Sequence, residues 1–189
     1  PIAPRDGSDP YELRAQTLLL ASGRVPNLEG LNVDELGIET TRTGIAVDGR
    51  LRTSVPGIWA AGDVNAVAQF TPVAQYQARI AVADMFGDDP PAADYSVLPT
   101  AIFTDPELGS VGLTEEQAGE QGHDVEVARN EHVRRFSYVD LRHGLFKVVF
   151  DRGTRRVLGL HVGSRSAGEI VQGLSLGLRL GATVEDLAA

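Results

Sequence analysis

The sequence predicts an α/β chain in two parts. Three observations carry this: an apolar run of the buried-strand type, TLLLAS at residues 17–22; a long amphipathic helix opening at Thr71; and, beyond a proline-rich stretch at 88–95, five strand candidates separated by helices. With 189 residues, 42% of them hydrophobic, the chain can bury one ordinary core or two small ones.

Residues 1–12 mix Pro, Gly, Asp and Ser without a period and predict a loop or frayed end, with order beginning near Arg14. TLLLAS, bounded by Gly23, has the form of a strand buried on both faces of a parallel sheet. Ile45 and Val47 then alternate with polar or small positions. Asp48 and Gly49 suit the positive φ angles of a hairpin turn, and Leu51 begins the return strand. GIWAAGD, residues 57–63, runs small and apolar residues into a glycine and an aspartate, the pattern of a buried strand that ends on a carboxylate. Thr71 followed by Pro72 predicts a helix start, with the hydroxyl as cap and the proline where its missing N–H costs nothing. The helix is expected to reach Phe86, with Val73, Tyr76, Ile80 and Ala83 on one face and Gly87 as a left-handed terminator. DDPPAADY, residues 88–95, marks a linker and a domain boundary.

The second half offers strands at 101–104, 109–113, 125–129, 145–151 and 157–162. Thr114 with Gln117, Ser166 with Glu169 and Thr183 with Asp186 each have the spacing of a capping box. After Ser166, the residues Ile170, Val171, Leu174 and Leu178 form one apolar stripe. Leu176 and Leu180 form a second edge, as on a helix buried at a subunit contact.

Composition narrows the function. With 26 acidic against 17 basic residues the net charge is −9, which repels phosphate backbones and anionic lipids and argues against nucleic acid or a membrane as partner. No apolar run approaches the roughly 20 residues of a spanning helix, and the first residues lack a signal-peptide pattern, so a cytoplasmic location is expected. The absence of cysteine excludes disulfides, thiolate metal sites and a thiol nucleophile within these residues. A chain that begins on proline and ends on TVEDLAA, the opening of a helix, reads as a fragment at both ends. His123, His132, His143 and His161 lack metal-ligand spacing and read as surface or core histidines. Glu169, beside Arg165 and a glycine at a helix start, has a catalytic look, but its spacing from Ser166 assigns it to the cap. Arg134 and Arg135, next to Phe136 and Tyr138, read as a solvated turn.

An aspartate after a strand is by itself most often a turn or cap residue. Asp63, however, lies eight residues before a helix start, which places a carboxylate near the partial positive charge of a helix N-terminus. A ligand with hydroxyls and developing negative charge suits that pair. A flavin has both: ribityl hydroxyls that donate to a carboxylate, and a reduced ring gathering charge near N1 and O2 that backbone N–H groups stabilise.

Five segments in order, LLLASGRVPN, TSVPGIWAAGDV, QFTPVA, PTAIFTDPELGSVGLTE and GLHVGSRSAGEIVQGLSLGLRLGATVEDLAA, resemble successive motifs of the flavin-dependent pyridine nucleotide-disulfide oxidoreductases, across nearly the whole chain. The resemblance implies partial Rossmann-like FAD- and NAD(P)-binding segments plus an α+β dimerisation domain of antiparallel sheet and helices. Residues 1–26 would end the NAD(P)-binding domain, 27–94 would belong to the FAD-binding domain, and 95–189 would form an interface domain truncated at its C-terminus. It further implies that Asp63 holds the ribityl hydroxyls and that Gly62 lets the backbone approach the cofactor. Phe70, Thr71 and Pro72 would lie along the flavin, and the N–H groups after Pro72, at Val73 and Ala74, would face its pyrimidine edge. Gly23 and Arg24 would form the loop near NAD or NADP, with an ordinary strand-ending glycine and a surface arginine as an equal alternative. Ile102 and Phe103 would approach the nicotinamide side, with core packing as their principal role.

The family's redox cysteine pair, its G-x-G-x-x-G loop and its His-Pro-x-x-x-Glu motif do not occur here. No catalytic residue is therefore expected in this chain, and by itself it is expected to lack turnover. Two readings follow. In one, the parent is a homodimeric NAD(P)H:disulfide oxidoreductase paired through residues 95–189, with a disulfide or related small molecule as acceptor. In the other, the chain is a cofactor-free dimerisation module, because 95–189 has strands enough for its own sheet and 1–53 has too few to close a nucleotide domain.

Overall fold

A computed structural model describes residues 3–87, 89–131 and 144–189. The expectations at Asp88, His132, Arg134, Arg135, Phe136, Tyr138 and His143 lie outside the described residues.

The second half is an antiparallel sheet built from β1 (Thr100–Ile102), β2 (Glu107–Gly112), β3 (Val125–Asn130), β4 (Leu145–Asp151) and β5 (Val157–Ser164), in the order β1-β2-β5-β4-β3. All five expected strands form. The central pairing sets Ser110 opposite His161 and Val111 opposite Leu160, so Val111, Leu160 and Val162 are all buried at the centre of the sheet's core. Helix α3 (Ala167–Arg179) covers that core with Ala167, Val171 and Leu178, while Ile170 and Leu174 pack at its margin. Full burial of a side chain such as Val171 is worth about 1.5–3 kcal/mol over exposure. Gly109 sets how close the helix comes: a Cβ there would meet the Ala167 carbonyl oxygen at 2.6 Å and Val171 Cγ1 at 3.0 Å. His161 is half-buried and satisfied, its Nδ1 3.0 Å from Ser110 Oγ and its Nε2 3.1 Å from the Leu113 carbonyl, and burial holds its pKa below the usual value.

Two of the three capping boxes are present. Thr114 Oγ1 accepts from Gln117 N at 3.2 Å and Gln117 Oε1 accepts from Thr114 N at 3.0 Å at the head of α2 (Glu115–Glu120). Thr183 and Asp186 do the same for α4 (Val184–Ala188). The third is not a box: Ser166 lies in the left-handed region at φ 57° and its side chain caps nothing. Glu107 of β2 takes the role from across the sheet, accepting the Gly168 N–H at 3.3 Å, so Glu169 is released from the cap the spacing assigned to it.

The first half departs further from expectation. Residues 17–22 form no strand, and Leu18, Leu19 and Leu20 are 80%, 85% and 80% exposed. A strand of this type needs neighbours on both edges, and among the described residues none pairs with it. The first buried side chain among the described residues is Ile38, in a small cluster with Ile45 and Ala60. The hairpin at 48–52 does form, closed by Asp48 N to the Arg52 carbonyl at 3.0 Å, but its left-handed residue is Leu51 (φ 65°) and not Asp48 or Gly49. This is a turn followed by a bulge residue, with the Asp48 carboxylate accepting the Arg50 and Arg52 N–H groups. Leu51 holds an unfavourable backbone angle because its side chain, 1% exposed, packs with Ile80, Ala81, Trp59 and Tyr76.

Helix α1 (Thr71–Met85) ends as expected, with Phe86 as C-cap and Gly87 at φ 81°. Its first residue is Thr71 itself, so Phe70 is the N-cap and Pro72 stands at the second helical position. No side chain caps this end. The stretch after α1 is packed, not free: Ala93 N donates to the Gly49 carbonyl at 2.7 Å, Asp94 N to Tyr76 Oη at 2.9 Å, and Tyr95 stands edge-on to Tyr76.

Truncating Leu51 to alanine is expected to cost about 2–5 kcal/mol of unfolding free energy, as for other fully buried leucines. Urea titration measures it; a loss below about 1 kcal/mol would show that burial of this side chain is not what holds the strained turn.

Candidate functional site

The segment 57–63 reaches its aspartate by a different route from the strand its pattern predicts. Trp59 makes one isolated bridge to Arg52, Ala60 N donates to the Leu51 carbonyl at 3.0 Å, and regular pairing stops there. Gly62 then turns the chain at φ 84°, a region open to glycine, into the short 3-10 turn Asp63–Asn65, which closes on Ala66 at φ 52°. A Cβ on Gly62 would stand 3.1 Å from Ala74 Cβ, so the missing side chain is what allows the turn to rest against the first turn of α1.

Several predicted residues meet at this place. The Asp63 carboxylate is about half exposed, and the Arg24 guanidinium stands 3.7 Å from it while donating to the Gln69 carbonyl at 2.7 Å. Gly23, at φ 105°, delivers Arg24 to that position. Ala74 lies beneath Gly62. Phe70, Thr71 and Pro72 line the wall of an adjoining cleft of about 620 Å³, opposite Phe103, Glu107 and Glu169. Val73 offers that region only its backbone, because its side chain is in the core. The N–H groups of Val73 and Ala74 both donate to the Phe70 carbonyl, at 3.0 and 3.1 Å. Phe103 is 85% exposed and Ile102 is exposed too, which overturns the core-packing role expected of them.

Two buried polar groups hold α1 in place, and neither was anticipated. At its far end the Asp84 side chain, 2% exposed, accepts from Arg52 Nε and Nη2 at 2.6 and 2.5 Å and from Trp59 Nε1 at 2.9 Å. The Arg52 hydrogen bonds hold its carboxyl below the usual carboxylate range, with the Trp59 N–H adding to the effect. Nearer the site Gln77, fully buried, accepts from Gly62 N at 2.6 Å and from Asn65 Nδ2 at 2.9 Å. A glutamine four residues after Val73 and three before Ile80, on the apolar face, was the available signal in the sequence. Among the described residues no group of three or more His, Cys, Asp or Glu side chains could hold a metal ion. No helix among them is long and apolar enough to cross a membrane.

Because the folded-state pKa of Asp84 is depressed, the stability it contributes is fully present above the unfolded value near 4 and is lost as pH falls through the lower folded value. Replacement by asparagine is expected to lower stability at neutral pH and to shallow its decline below about pH 4; thermal melts across pH 2–7 measure this, and an unaltered acid limb would remove Asp84 from the account.

Comparison with known proteins agrees along the chain. A family model for the pyridine nucleotide-disulphide oxidoreductase dimerisation domain matches residues 98–189, and one for pyridine nucleotide-disulphide oxidoreductase matches residues 5–78. A mercuric reductase of Lysinibacillus sphaericus is 40% identical over 93% of this chain and 33% of its own length, and a chloroplastic/mitochondrial glutathione reductase of Pisum sativum is 37% identical over 91% and 32%. Among solved structures, the Cu(II) complex of the HOCl-induced flavoprotein disulfide reductase RclA from Escherichia coli superposes with a TM-score of 0.83 at 30% identity, covering 94% of this chain and 41% of that one. The chain thus spans about a third of the length of the curated relatives it matches. With both halves matched in the same order as the motifs, the chain belongs to the pyridine nucleotide-disulphide oxidoreductase family and carries that family's dimerisation domain.

Proposed function

We propose that these residues are the C-terminal part of a homodimeric flavoenzyme that passes electrons from NADH or NADPH through FAD to a disulfide or related acceptor. The observation that carries this reading is the meeting of Asp63, Gly62 and Arg24 with the uncapped start of α1. FAD fits the residues present. Asp63 turns an exposed carboxylate toward solvent, suited to accept from ribityl hydroxyls. Gly62 removes the side chain that would block a close approach, and the N-terminal end of a fifteen-residue helix favours negative charge. When bound, the flavin supplies the two-electron chemistry between nicotinamide and acceptor. Phe70, Thr71 and Pro72 form one wall that would limit water at a bound flavin, and Arg24, 3.7 Å from the Asp63 carboxylate, balances its charge. The chain holds no cysteine, so acceptor-side thiols come from elsewhere in such an enzyme.

Pairing is proposed through residues 95–189. Leu176 and Leu180 on and just after α3 stay 61% and 77% exposed, a position suited to a two-fold contact. The alternative, a dimerisation module without cofactor, draws on the contrast between a five-stranded sheet with its own core and a first half without strands among its described residues.

A visible absorption spectrum of the undenatured protein distinguishes the two, since only the first gives a flavin band. In the flavoenzyme, Asp63→Ala is expected to raise the dissociation constant for FAD about 10- to 100-fold, the worth of hydrogen bonds to a charged group. Unchanged affinity would remove Asp63 from the site. Leu180→Asp is expected to shift the species seen by light scattering from dimer toward monomer; a dimer equal to the parent's would place the contact elsewhere.

A further inference from the structure

Gln77 occupies a place on α1 that helical spacing reserves for an apolar side chain, between Val73 and Ile80 on the buried face. A buried amide is tolerated only where its lost water is replaced. Here the replacement is complete. Oε1 accepts from Gly62 N at 2.6 Å and Asn65 Nδ2 at 2.9 Å, and Nε2 donates to Tyr95 Oη at 2.9 Å. Asn65 extends the network, donating to the Ala60 carbonyl at 3.1 Å and accepting from Val67 N at 3.1 Å. One side chain therefore grips the chain immediately before Asp63 and two residues after it. The same side chain ties that grip to Tyr95, beyond the end of α1. The turn it holds is flanked by two residues of positive φ, Gly62 and Ala66, and makes a single turn of 3-10 helix, too short to stand alone. Asp63 itself takes no part in the network and faces outward.

We propose that Gln77 is a positioning residue for Asp63: its buried amide fixes the turn that aims the carboxylate, and Tyr95 fixes the amide. The proposal rests on the reading that Asp63 holds a flavin. It goes beyond that reading in assigning the aim of the carboxylate to a side chain that does not touch the ligand. If Gln77 served only to fill space, an apolar side chain of similar length would replace it.

The test uses the holoenzyme and four variants: Gln77→Met, Gln77→Glu, Tyr95→Phe and Asp63→Ala. Three quantities are read: the FAD dissociation constant after reconstitution, the visible circular dichroism of bound flavin, and hydrogen exchange of the Gly62 amide in the cofactor-free protein. Gln77→Met is expected to weaken FAD binding about tenfold, to alter the flavin dichroism, and to speed exchange at Gly62. Gln77→Glu keeps an acceptor for Gly62 and Asn65 and can accept from Tyr95, and is expected to restore all three. Tyr95→Phe is expected to weaken FAD binding about threefold; it decides the matter if Gln77→Met does not fold. FAD affinity and dichroism equal to the parent's in Gln77→Met, or in Tyr95→Phe where the methionine variant is lost, while Asp63→Ala releases the cofactor, would overturn the positioning role and leave the flavin site standing. Tight binding in Asp63→Ala would overturn the assignment of Asp63 to the flavin, and the proposal with it.

Discussion

An apolar strand survives only if its edges are paired and its faces covered, and the arrangement of this chain follows from where that condition is met. In the second half it is met internally. Each of the five strands has a neighbour, and α3 lays Ala167, Val171 and Leu178 over Val111, Leu160 and Val162. Among the described residues of the first half there are isolated bridges, such as Thr40 with Ile45 and Arg52 with Trp59, and no strand of several residues. Side chains supply there what backbone ladders supply elsewhere. Asp84 anchors the last turn of α1 to Arg52 and Trp59, and Gln77 anchors its middle to Gly62 and Asn65.

Those two anchors explain why the candidate site has a defined shape without a sheet to carry it. The turn at Gly62 is held from below by α1, and the same helix presents its uncapped end to the cleft beside Phe70 and Pro72. Because Gln77 ties α1 to Gly62 and Asn65, a displacement of the helix would carry the Asp63 carboxylate and the helix terminus together. The cleft is also lined by Glu107 of β2 and by Phe103 just after β1, so the two halves of the chain meet beside the place where chemistry is proposed.

The legible parts of the fold were those whose signal is local or whose partner lies within the chain. The strand at 145–151 and the capping boxes at Thr114 and Thr183 depend on residues a few positions apart, and all formed. TLLLAS carries an equally clear signal, yet a strand buried on both faces requires neighbours that these residues do not contain. Ser166 and Glu169 had the spacing of a box, but a positive φ at the serine turned the hydroxyl out of use and Glu107, from another strand, capped the helix instead. In the site, Asp63, Gly62 and the start of α1 were readable from the motif. Gln77 was not, because a buried amide is meaningful only through its partners 12 and 15 residues away.

The bare leucines at 18–20 have a consequence of a different kind. An extended apolar strip with unpaired backbone is an adhesive edge, the form that seeds cross-strand association between molecules and draws chaperones and proteases in a cell. A sheet that received this strip would also shield the chain from quality control. Any species that presents it uncovered would have its lifetime set by how quickly a neighbouring strand arrives, and thermodynamic stability of the sheet domain would do little to extend it.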